Sequence, residues 1–186
     1  MTNTFRQFVI GITALGAVSS PVLAQDFPSQ KVLPLELSTQ AAMAAIKKCH
    51  EDGFKVSVAI VDQSGLLKVQ LKADGAGPHT LDSSRRKAYT ANSLRDSTHK
   101  YAVLIAQKPE LQSLSRLNDN ILLLGGGFPI KIGGEVIGGI ALEKYPKDPE
   151  VIGGIGVGGA PGIQFDEVCA SAALQVLKAD DTYESK

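Results

Sequence analysis

Thirteen of the nineteen glycines lie between Gly125 and Gly162, in a stretch that also carries short apolar runs. Glycine weakens a strand, so in a sheet it marks places where another backbone or a helix comes close. Four strands are expected in this stretch and just before it, at Ile121–Leu124, Phe128–Ile132, Val136–Leu142 and Val151–Val157. Within them Val136-Ile-Gly-Gly-Ile140 recurs as Val151-Ile-Gly-Gly-Ile155, separated by the polar, proline-containing Lys144–Glu150. Two neighbouring strands joined by a loop explain this pair, because a true repeat architecture needs at least three units.

The earlier half reads differently. Leu35 to Glu51 is expected to be an amphipathic helix with Ala42, Ile46 and Cys49 as its stripe and Gly53 at the position after its cap. Lys55–Val61 and Leu66–Leu71 flank Asp62-Gln63-Ser64-Gly65 and read as a β-hairpin. A second helix is expected from Leu81 to Arg95 with Thr80 as N-cap, a third from Thr98 to Gln107, and a short turn at Pro109. Asp166 to Leu177 closes the fold as a helix with the stripe Cys169, Ala172 and Val176. The order α-β-β-α-α-β-β-β-α predicts an α+β domain around an antiparallel sheet of about five strands.

Ahead of this domain, Met1–Arg6 and the apolar Phe8–Val18 have the pattern of a signal peptide, with cleavage expected after Ala24. The apolar run is too short to span a membrane, which takes about 20 residues. The expected organisation is a signal peptide at 1–24, an arm at 25–34, a domain at 35–178 and a tail at 179–186, giving an exported periplasmic or secreted protein with no membrane span after cleavage. Nineteen basic residues balance nineteen acidic ones, so nothing in the charge favours nucleic acid.

Gly154-Ile-Gly-Val-Gly-Gly159 satisfies the dinucleotide pattern G-x-G-x-x-G, but no second strand with an acidic end follows it to hold a ribose. No serine sits in a G-x-S-x-G elbow. Of the three histidines, His50 reads as a helix-end surface residue suited to the macrodipole, and His99 as a solvated residue in a first helical turn. His79 lies in a glycine-rich loop, followed on a helix by Arg85, Arg86 and Lys87. A neutral imidazole can ligate a metal or haem iron, and the basic cluster could meet ligand carboxylates. From spacing alone, an ordinary loop histidine is the favoured reading, because a lone histidine is weak evidence.

Three segments, Val58-Ala-Ile-Val-Asp-Gln-Ser-Gly65, Lys72-Ala-Asp-Gly-Ala-Gly-Pro-His-Thr80 and Arg86-Lys-Ala-Tyr-Thr-Ala91, form an ordered set with Gly125-Gly-Gly-Phe-Pro-Ile130 and Gly154–Gly159. In that order they resemble the GlcG/HbpS-like haem-binding family, over about Leu35 to Leu177. The resemblance implies a profilin-like sheet-and-helix domain, a homo-oligomer of two or more copies, and haem as ligand, with a corrinoid as the alternative. Thr80 matches the family's Ser/Thr position, and His79 is inferred as axial ligand, with Arg86 or Lys87 as propionate partner. Gly158 stands where the family usually has serine, and Lys144–Glu150 looks like an insertion.

Three functions follow as alternatives: a non-catalytic protein that handles or senses haem, an enzyme that degrades haem or acts on a small metabolite, and a ligand-free accessory subunit. Cys49 and Cys169 are expected to form a disulfide. Export favours one, and the family fold would bring their helix ends together. Two free buried thiols are the alternative.

Overall fold

The computed structural model describes residues 30–133 and 150–179. The folded unit begins at Lys31. The first helix, α1 (Leu35–Glu51), starts after extended Pro34, whose carbonyl accepts from the Ser38 hydroxyl. It ends through Asp52 and the left-handed Gly53. Its buried stripe is Ser38, Ala41, Ala42, Ala45 and Cys49. These small side chains let another helix approach closely.

The hairpin follows as β1 (Ser57–Asp62) and β2 (Leu67–Lys72), paired antiparallel. Asp62 builds the turn, its Oδ1 accepting from the Ser64 and Leu66 amides while Gly65 takes a positive φ. After α2 (His79–Leu94), α3 (Thr98–Gln107) and a 3-10 segment (Pro109–Arg116) come β3 (Gly127–Ile132), β4 (Glu150–Gly158) and α4 (Ile163–Leu177). The four strands form one antiparallel sheet in the order β2-β1-β4-β3. This is the expected α+β class. The expected strand at Val136–Leu142 and the tail from Asp180 lie outside the described residues. No described helix is long and apolar enough to cross a membrane.

Strand alternation divides the core between the two faces. Val58 and Ile60 of β1 and Ile155 and Val157 of β4 join the large cluster with α1 and α4. Ala59 and Val61 point the other way, toward Ala88 of α2. On that second face β4 presents glycines. A Cβ at Gly154 would lie 2.3 Å from the Ala88 carbonyl oxygen, and one at Gly156 would lie 2.1 Å from that of Ser84. The glycine pattern therefore serves backbone-close packing of α2 on the sheet. The G-x-G-x-x-G match is a helix-packing surface. On the first face, α1 and α4 are joined by a Cys49–Cys169 disulfide, with Cα atoms 5.5 Å apart.

Four local expectations change. Thr80 is not the N-cap of α2. The helix begins earlier, because Pro78 carries a φ of −63° already suited to a helix start. Thr80 turns inward, its hydroxyl hydrogen-bonded to the Ser57 hydroxyl and donating to the Gly77 carbonyl. Residues 121–124 are a loop, not a strand. Side chains satisfy its backbone instead: Thr90 accepts from the Leu122 amide, while Arg86 and Thr98 donate to the Ile121 and Leu124 carbonyls. In α4, Gly162 is the N-cap, and the helix starts at Ile163 rather than Asp166. Its buried stripe follows Asp166, Cys169, Ala170, Ala173, Leu174 and Leu177, leaving Ala172 and Val176 half-buried.

Candidate functional site

The outer flank of α1 carries Met43, Ile46 and His50 at spacings of three and four, which align on one face. Across from them stand Leu71 and Lys72 at the end of β2, then Ala73 and Asp74, with Lys55 reaching in from the segment before β1. Together these residues line a groove of about 380 Å³, within the ~300–1,000 Å³ typical of small-molecule sites. Met43, Ile46 and Leu71 supply its apolar lining. His50, Lys55 and Lys72 bring three nitrogen-bearing groups to that lining against the one carboxylate of Asp74. Neither lysine is in an ion pair among the described residues. Lys55 lies over Gly75, where a Cβ would meet its Cδ and Nζ at 3.0 Å. A second groove of about 480 Å³ continues along α1 past Met43 to Thr39 and Leu35.

This donor set suits a flat apolar ligand with carboxylates. An imidazole can coordinate iron, the apolar lining can take a macrocycle, and lysines can meet propionates. Little in the sequence pattern pointed to this groove. Only the alignment of Met43, Ile46 and His50 on α1, with Lys72 ending the adjacent strand, hints at it.

The sequence-expected residues all lie on α2 but face different ways. His79 is exposed at the first position of the helix, and it lines neither groove. Thr80 is buried against Ser57. Arg86 donates from Nη2 to the Ile121 carbonyl at 2.7 Å and lies 3.7 Å from Asp82. Lys87 is 2% exposed, its ammonium donating to the Val157 carbonyl and to Asp166 Oδ2, both at 2.8 Å. A ligand carboxylate would have to displace Asp166 to reach it.

His50 is exposed, as expected. His99 is not simply solvated: its Nδ1 is buried 3.5 Å from Oε1 of Glu167. Burial pushes both the Asp166 and Glu167 carboxyls above their ordinary range, against the pull of Lys87 on the first and of His99 on the second.

A model of the HbpS-like haem degrading protein family matches residues 33–143. The chain belongs to the HbpS-like family. A doubly substituted HbpS from Streptomyces reticuli shares its fold with a TM-score of 0.68 and 38% identity, over 86% of this chain and 97% of that one. The corrinoid adenosyltransferase PduO of Salmonella typhimurium is 28% identical over 68% of this chain, which spans 40% of that enzyme's length. A PduOC structure in complex with haem has a TM-score of 0.67 at 22% identity, over 81% of this chain and 98% of that one, a likeness of fold. Membership in the HbpS-like family makes this a haem-related protein.

Proposed function

We propose that the protein binds haem in the groove between α1 and β2, with His50 as iron ligand and Lys55 and Lys72 as propionate partners. The observation that carries this reading is an imidazole and two lysines, neither ion-paired among the described residues, lining an apolar groove of ligand size. The haem would supply the redox-active iron, while the protein supplies the imidazole, the apolar walls and the countercharge. The exposed imidazole of His79, with Arg86 two turns further along α2, supports a second placement of the same ligand, with Thr80 behind it in the helix start. The role proposed is handling or sensing of haem by an exported, homo-oligomeric protein. The leader-like sequence at 1–24 and the disulfide support export.

Hemin titration of the purified protein, followed in the visible spectrum, tests the reading. A saturable Soret shift is expected, and a flat titration would favour a ligand-free accessory subunit. Loss of the Soret band on adding a reductant would instead favour haem degradation. Saturable binding of cobalamin with no response to hemin would move the ligand to a corrinoid.

A further inference from the structure

We propose that His99 and Glu167 form a proton-operated latch that holds the outlying α3 and 3-10 segment onto the first turn of α4. This segment has little core of its own. Thr98 is the one buried residue of α3, and the 3-10 stretch buries none. Its described anchors sit at its base. The Thr98 hydroxyl donates to the Leu124 carbonyl and accepts from the Gly127 amide, and the Tyr101 hydroxyl donates to the Leu94 carbonyl.

His99 stands next to that base. Its Nδ1 faces Glu167 Oε1 at 3.5 Å, and neither of these buried atoms has a hydrogen-bond partner among the described residues. The Glu167 side chain is only 7% exposed, whereas the imidazole is 43% exposed, so protons can reach the pair from the histidine side. The glycine loop is shaped around it: a Cβ at Gly125 would lie 2.9 Å from Glu167 Oε1 and 3.3 Å from His99 Nδ1.

Charge counting gives the device its direction. Among the described residues, the groups that act on Glu167 are His99 from α3, Lys87 from α2, the neighbouring Asp166 on α4 and the backbone amide of Gly126. Lys87 and Asp166 neutralise one another. Lys100, next to His99, is already paired with Asp96. Among the described residues Glu167 is thus left with His99 as its countercharge. With the imidazolium present the cluster is neutral. With a neutral imidazole, the buried carboxylate must either take a proton or open toward water. Histidine is the side chain that changes charge between about pH 5 and 8, so the segment should loosen as pH rises through that range.

Amide hydrogen exchange at about pH 5.5 and pH 8, corrected for intrinsic rates, tests this across the imidazole range. In the wild-type chain the opening constant of residues 98–117 should rise several-fold relative to α1 and α4. His99→Gln and Glu167→Gln should each abolish that difference between the two pH values. Wild-type exchange in 98–117 that tracks the core at both values would overturn the proposal, as would His99→Gln retaining the wild-type response. The wild-type comparison decides even if a variant does not fold.

Discussion

Gly156 illustrates how one hydrogen atom in place of a methyl group sets the spacing of two layers. Its absent Cβ leaves room for the Ser84 carbonyl and the Ala88 amide of α2, at 2.1 and 2.5 Å from where that carbon would stand. Both neighbours are helix backbone and cannot turn aside. Gly156→Ala should therefore reach or exceed the upper end of the about 1–3 kcal/mol usual for overpacking, or yield no folded protein. Gly53→Ala makes the contrast. Its φ is +84° but nothing lies within 4 Å, so only the left-handed strain of about 1–2 kcal/mol applies. Urea unfolding of both variants checks the ranking, and equal losses would contradict it.

The buried Lys87–Asp166 pair makes a second residue-scale case. Asp166→Ala would strand an ammonium that is 2% exposed, at a cost of about 3–5 kcal/mol. The double change Lys87→Met with Asp166→Leu should recover most of that loss, since apolar replacement of a buried pair is often neutral. A double variant as unstable as Asp166→Ala would show that the pair does more than compensate its own burial. This pairing was not legible in the sequence. The basic run at 85–87 gave no sign that its third member turns fully inward while its neighbours stay half-buried.

At the scale of elements, the bounds of α1 and α3 follow from local chemistry. α1 has a proline before it and a glycine after, and Ser97 caps α3 by accepting from the Lys100 amide. Two residues near the start of α2 can each begin a helix, and Pro78 acts before Thr80 can. The apolar composition of the loop at 121–124 resembles a strand, and it says nothing of which side chains will satisfy the backbone. The disulfide belongs to this scale too, since it ties the C-terminal end of α1 to the middle of α4 across 120 residues of chain. Chain-entropy arguments assign a loop of that length roughly 4–5 kcal/mol. Full reduction should lower the urea midpoint accordingly, with the loss cancelled in a Cys49→Ala, Cys169→Ala variant compared with and without reductant. An unchanged midpoint on verified reduction would contradict the entropic account.

For the whole molecule, the order of five weak sequence blocks was more informative than any one of them. Spread over most of the domain, they constrain both the sheet and the packing of α2 on it, which is why fold and family could be read together. The groove could not be read this way. It joins the flank of α1 to the end of β2 and to Lys55, and a histidine at a helix end looks the same in sequence whether or not a wall stands opposite. The spectrum of hemin-loaded His50→Ala, set beside those of His79→Ala and the wild type, is the most direct measurement of where the ligand sits. The account predicts that His50→Ala alone shifts the Soret maximum and weakens hemin binding by tenfold or more, on the order of 1.4 kcal/mol. A His50→Ala spectrum and affinity indistinguishable from wild type, with the loss appearing in His79→Ala, would contradict it.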